Sequence, residues 1–81
     1  MPPADLRTLV ERLTRGLLDD PSTVSVRATE RDRVVFIEIR VPTGEIGRVI
    51  GKRGRIIGAI RAVAKAAAMR AGRRVVVNVV Q

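Results

Sequence analysis

Residues 45–57 read EIGRVIGKRGRII: Arg48, Lys52, Arg53 and Arg55 stand among Gly47, Gly51 and Gly54, and the last two glycines bracket Lys52 and Arg53. Lysine and arginine are permanent cations near neutral pH, and a glycine lets the backbone turn sharply with no Cβ in the way. The chemistry open to such a stretch is the holding of an anion. Two basic side chains at the tip of a turn offer charge-assisted donors to phosphate, and the N–H groups at the start of a following helix would face the same anion. Bond-making chemistry has little support elsewhere in the chain. Histidine is absent, which removes the usual general base and the commonest transition-metal ligand. Cysteine is absent too, so neither disulfides nor thiolate metal sites are available. No catalytic residue, metal or cofactor is expected. Phe36 is the only aromatic, so a nucleic acid held here could not be gripped mainly by stacking on aromatic rings.

Spacing separates the readings of the glycines. A phosphate-binding P-loop needs four residues between its glycines and then Lys followed by Ser or Thr; Gly47 and Gly51 enclose three, and Lys52 is followed by Arg53. The dinucleotide fingerprint GxGxxG fails because no two of these glycines are one residue apart. Gly44, Gly47, Gly51, Gly54 and Gly58 do recur at helical intervals, as in a seam for close helix packing, but four cations interrupt the row and exclude a lipid-buried seam. A packing role in a folded domain is expected for Gly47 and Gly58, since a glycine inside a helix costs about 1 kcal/mol.

Charge is strongly polarised along the chain. The net charge is +8 over 81 residues. All eight acids lie in residues 1–45 beside seven arginines, whereas residues 46–81 hold nine bases and no acid. The second half therefore reads as an electropositive surface without local neutralisation, suited to a polyanion. A chain this short has material for one hydrophobic core, and 46% apolar residues are enough to fill it. One domain over residues 1–81 is expected. The start, MPPADLRTLVERL, has charges between its leucines and reads as neither signal peptide nor membrane span, so a cytoplasmic location without membrane attachment is expected.

The elements that must position the basic stretch follow from periodicity. Leu6, Leu9, Val10, Leu13 and Leu17 mark an amphipathic first helix, with Asp5 near its positive end and DDP at 19–21 ending it. TVSVRATE (23–30) and VVFIEIRV (34–41) read as antiparallel strands joined by a hairpin at ERDR. Thr43 is placed to cap a short helix over 44–50. A long alanine-rich helix follows from Gly54 to Gly72, then a last strand, RRVVVNVV. Ile56, Ile57, Ile60, Val63, Ala64 and Ala67 form its expected core stripe. Arg61 and Lys65 either continue the basic surface or are merely solvated. Ala59, Ala62, Ala66 and Met69 make a smooth face, open to two readings: a dimer surface or packing against the first helix.

The stretch VIGKRGRII, residues 49–57, resembles the GxxG signature of the KH domain, which clamps about four nucleotides of single-stranded nucleic acid. The element order αββααβ is similar to that of type II, bacterial-style KH domains over nearly the whole chain, and GRVIGKRGRIIGAIRAVAKAAA looks like the small stand-alone bacterial KH proteins of the KhpA kind. The resemblance implies an α+β fold: a three-stranded mixed sheet with three helices on one face. It implies single-stranded RNA as ligand, with Gly51, Lys52, Arg53 and Gly54 as the clamp, Arg48, Arg55, Arg61 and Lys65 as supporting cations, and Ile46, Val49, Ile50, Ile57 and Ile60 as a groove for bases. The strand of residues 34–41 is expected as the opposite wall. Gly58 departs from the family, whose members often carry Lys there. The implied role is that of an RNA chaperone or post-transcriptional regulator, with a second RNA-binding protein as partner; a homodimer is expected from the smooth face of Ala59, Ala62, Ala66 and Met69. The alternative is an assembly module docking on a ribosomal subunit by its basic surface.

Overall fold

Leu6 and Val10, one turn apart on helix α1 (Pro3–Arg15), are fully buried, and Leu9 and Leu13 are half-buried beside them. The computed structural model describes residues 3–18 and 20–80; Asp19, expected at the end of this helix, lies outside them. Asp5 in the first turn and Arg12 and Arg15 in the last complement the helix dipole. The helix stops before the leucine spacing suggests. After Gly16 the chain closes tighter turns, Leu17 N–H to Thr14 O at 3.0 Å and Leu18 N–H to Arg15 O at 3.4 Å. Helical counting no longer selects the inner face there, so Leu18 is buried while Leu17 only leans on the core. Thr14 is buried as well, and its hydroxyl is satisfied by donating to Val10 O at 2.7 Å. Asp20 caps a 3₁₀ turn (Pro21–Thr23) by accepting the Ser22 N–H at 3.1 Å.

Three strands follow in one sheet, β1 (Ser25–Arg31), β2 (Val34–Arg40) and β3 (Arg74–Val80), with β2 in the middle. β1 and β2 are antiparallel, and pairing of Arg31 with Val34 leaves Asp32 and Arg33 as a two-residue turn. Both have positive φ, +51° and +65°, the backbone of a type I′ hairpin, whose twist matches that of the strands. β2 and β3 are parallel from Val34↔Arg74 to Arg40↔Val80. Alternation puts Val26, Val35, Ile37, Ile39 and Val77 on the buried face. That face is covered by α1, by the short helix α2 (Ile46–Ile50) and by α3 (Arg55–Arg70). The order is αββααβ, as the sequence predicts. Among the described residues no helix is long and apolar enough to cross a membrane.

Several local expectations are corrected. Thr43 does not cap α2: it lies inside a 3₁₀ turn (Thr43–Glu45) with no capping hydrogen bond from a side chain, and the Glu45 N–H instead donates to Pro42 O at 2.8 Å. The core stripe of α3 is Ile57, Ile60, Ala64 and Ala68, whereas Val63 is 44% exposed. Counting from Ile56, which is only half-buried, had rotated the stripe. The face of Ala59, Ala62, Ala66 and Met69 is exposed, Met69 to 65%, so α1 does not cover it. α3 ends in a Schellman motif: Gly72 has φ +69°, its N–H reaches Met69 O at 3.0 Å, and the Arg73 N–H reaches Ala68 O at 2.9 Å.

Gly47 and Gly58 have no packing role within the chain, since a Cβ built on either meets nothing within 4 Å. Gly58 lies in helical backbone, exposed, inside α3. Gly58→Ala is therefore expected to raise unfolding stability by about 1 kcal/mol, seen as a rise of about 4–8 °C in Tm. A thermal melt showing no rise would mean that the small residue serves the fold in another way.

Candidate nucleic-acid interface

The turn between α2 and α3 is built on two glycines for different reasons. Gly51 has φ +76° and ψ 174°, a region open essentially to glycine alone. A Cβ there would also stand 2.6–2.9 Å from three side-chain atoms of Ile56. Gly54 has φ +72° and ψ 15°, the left-handed region, but a Cβ on it would meet nothing within 4 Å. Arg53 between them is left-handed too, with φ +57°. Three hydrogen bonds hold this path: Gly51 N–H to Gly47 O at 2.8 Å, Gly54 N–H to Gly51 O at 3.1 Å, and Arg55 N–H to Lys52 O. Two N–H groups expected to face an anion are thus used inside the turn. The Lys52 and Arg53 side chains are exposed at the tip, beside open space at Gly54.

The supporting cations divide by position. Gly54, Gly58, Arg61 and Lys65 share one face of α3 by helical spacing. Arg61 Nε donates to Val77 O at 3.0 Å, which fastens α3 to β3. Arg61 and Lys65 line a groove of about 270 Å³ with Val75, Val76, Val77 and Asn78. Arg55 lies elsewhere, lining the cleft between α1 and α3 with Leu13, Leu17, Ile56, Ala59, Ile60 and Val63. Arg48 is drawn toward Glu45, its Nε 3.8 Å from Oε2, an ion pair too long for a hydrogen bond. Arg73 pairs with Glu30 at 3.1 Å. The second half of the chain is therefore not wholly without neutralising acids, because folding brings these two from the first half. Among the described residues Lys52, Arg53 and Lys65 have no ion pair.

The opposite wall differs from the one expected. β2, residues 34–40, lies in the centre of the sheet, so both of its backbone edges are engaged by neighbours. β3 has a free edge. Val80 O accepts from the Val41 N–H at 3.2 Å on the β2 side; by alternation Val75, Val77 and Val79 turn their N–H and C=O groups outward along the groove. Those groups are hydrogen-bonding partners of the kind a base edge needs. The apolar residues are redistributed as well. Val49, Ile57 and Ile60 are buried in the core and unavailable to a base. Ile50 is exposed and Ile46 half-buried. The sequence signal that was missed is Asn78, a lone polar residue in a run of valines, marking the open side of β3.

Comparison with known proteins agrees with this architecture. A family model for the KhpA/KhpB KH domain matches residues 7–79. The RNA-binding protein KhpA of Clostridium acetobutylicum is 39% identical over 75 residues, 93% of this chain and 100% of the relative. That of Aquifex aeolicus is 38% identical over 76 residues, 94% and 96% of the two chains. Among solved structures, Era of Aquifex aeolicus bound to GDP and aluminium fluoride superposes with a TM-score of 0.67 at 22% identity, over 98% of this chain and 31% of that one. Era in complex with MgGDPNP and nucleotides 1506–1542 of 16S ribosomal RNA gives 0.67 at 22% identity, over 91% and 28%. This chain spans about a third of Era, and the likeness shows a shared fold.

The unequal demands on the two glycines are testable by melting. Gly51→Ala combines a forbidden backbone with a clash and is expected to cost at least about 3 kcal/mol. Gly54→Ala carries only the left-handed penalty of about 1–2 kcal/mol. Equal losses in denaturant unfolding would contradict the contact assigned to Ile56.

Proposed function

This chain belongs to the KhpA/KhpB family of KH domains, and from that premise we propose that it is a non-catalytic RNA-binding protein, one KH domain over residues 1–81, that clamps a short single-stranded segment. Lys52 and Arg53 neutralise consecutive phosphates while the sugar-phosphate chain passes over the uncovered backbone at Gly54. The bases enter the groove between the Arg61 and Lys65 face of α3 and the free edge of β3, where outward N–H and C=O groups meet their polar edges and Ile50 and Ile46 their flat faces. The observation that carries this reading is the juxtaposition of an open, cationic turn with an unpaired strand edge. The curated relatives are named RNA-binding proteins, which supports it. Such a clamp suits an RNA chaperone or post-transcriptional regulator in the bacterial cytoplasm.

Two measurements test the clamp. Replacing Lys52→Asp together with Arg53→Asp is expected to abolish binding of a single-stranded oligonucleotide with unchanged helical circular dichroism, since both side chains are exposed at the tip. With three to five phosphates neutralised, log affinity against log salt should fall with a slope of roughly −2 to −3.5. A flat salt response would remove the phosphate clamp. Retention on ribosomal subunits without oligonucleotide binding would favour the docking-module alternative.

The partner is a second copy of this chain, meeting partly through Ala59, Ala62, Ala66 and Met69. This face is exposed, and it borders the apolar cleft of Leu13, Leu17, Ile56 and Val63. A short chain gains most from such added burial. Ala62→Glu is expected to convert a dimer to a monomer in light scattering, because the introduced charge would meet its own copy. A wild-type monomer at high concentration would leave the face to a different RNA-binding protein.

A further inference from the structure

The sheet face turned away from the helices carries a second cationic surface that the loop does not explain. The strand register sets its side chains in rows: Arg27, Glu38 and Asn78; Thr29, Phe36 and Val76; Arg31, Val34 and Arg74. Phe36, the only aromatic of the chain, stands at the centre, 39% exposed, with Val76 equally exposed beside it. The Arg31 guanidinium carbon lies 5.8 Å from the ring centroid. Among the described residues Glu38 is the only acid whose side chain lies on this face, and Arg40 holds it at 3.2 Å. Among the described residues Arg27, Arg31 and Arg74 have no ion pair.

An ordinary solvated sheet face interleaves both signs, whereas this one sets four arginines against one glutamate around an uncovered ring. That combination, a sequence-tolerant stacking platform ringed by phosphate-binding cations, is the chemistry that holds single-stranded nucleic acid. The two surfaces are continuous. Asn78 lines both the groove beside Arg61 and Lys65 and the depression of about 260 Å³ over Phe36. Only the width of β3, about 4.8 Å, separates the groove from the strand that carries the ring.

From this continuity we infer that the open sheet face is a second binding surface for the same single-stranded RNA. The chain leaves the groove, crosses β3 at Asn78 and stacks a base on Phe36, with Arg27 and Arg31 taking the adjoining phosphates. The inference rests on the RNA-clamp reading, and its occupied length is longer than the four nucleotides or so of a KH clamp.

The test uses the full chain with oligouridylates of about 5 and about 15 nucleotides, the shorter filling only the clamp. Phe36→Ala is expected to lower affinity for the long probe about tenfold, a loss typical of one stacked base, and to leave the short probe within about twofold. Phe36→Leu, which keeps the apolar bulk without the π-face, should behave alike. Phe36→Trp supplies the sole indole of the chain; its emission should be quenched by the long probe and not by the short one. Equal loss for both probes, no loss for either, or unquenched emission overturns the second surface. An emission shift that follows protein concentration without RNA overturns it as well, by assigning the face to a second copy. Failure of the wild type to bind even the short probe is distinguishable, because it sinks the clamp itself.

Discussion

The parallel pairing of β2 with β3 governs the position of everything that matters at the groove. Parallel neighbours cannot be joined by a hairpin; the chain must leave one end of the sheet, travel back and re-enter at the other. α3 makes that return. Its 16 residues span about 24 Å, close to the length of about 23 Å for the seven residues of β3. The turn preceding α3 must therefore sit beyond the C-terminal ends of the strands, and Arg61, partway along the helix, falls opposite the middle of β3. The same pairing closes the second edge of β2 and passes the free edge to β3. The exposed cationic turn and the groove along β3 are thus consequences of one connection.

Packing of that return helix is what brings it near enough. Ala64 and Ala68 are fully buried against the sheet, and such small side chains let a helix axis approach closely, so that the guanidinium of Arg61 reaches the strand backbone. Burying little per residue, this contact depends on its larger neighbours, Ile57 and Ile60, for apolar area. Those isoleucines cannot serve the core and a nucleobase at once. The groove beside β3 is consequently more polar than a count of aliphatic residues near the turn suggests, since Arg61, Lys65 and Asn78 line it.

The order of elements, the sheet-forming alternation and the glycine turn were legible in the sequence because each is a local pattern. Gly51 and Gly54 announce a reversal wherever they stand, and Val35, Ile37 and Ile39 alternate too regularly to be anything but a strand. What escaped was set by tertiary placement. Nothing within residues 34–41 tells that β2 would be central, since edge or centre is decided by where β3 docks. A small rotation of the α3 stripe exchanged Val63 for Ala68, because Ile56 adjoins the true stripe on the side where Val63 lies. Splitting the charges by halves of the chain hid the sheet face, where Arg27, Arg31 and Arg40 from the nearly neutral half meet Arg74 from the other. Asp32 and Arg33 were recognised as a turn, but with no glycine or asparagine their left-handed backbone was not foreseeable.

Both outer strands present a carbonyl to an arginine from a helix: Arg61 to Val77 O at 3.0 Å on β3, and Arg7 to Val26 O at 3.4 Å on β1. A bare strand edge is a template for adding a strand from another molecule, and a valine-rich one is the kind that seeds fibrils. Each guanidinium occupies an acceptor that an incoming strand would need and places a charge in its path. On β3 the arginine that guards the edge also lines the groove beside that strand, and a ligand lying in the groove would cover the rest of the exposed backbone. Colloidal behaviour would then depend on whether that groove is filled: among the described residues, Arg61 is the one side chain that hydrogen-bonds the outer edge of β3.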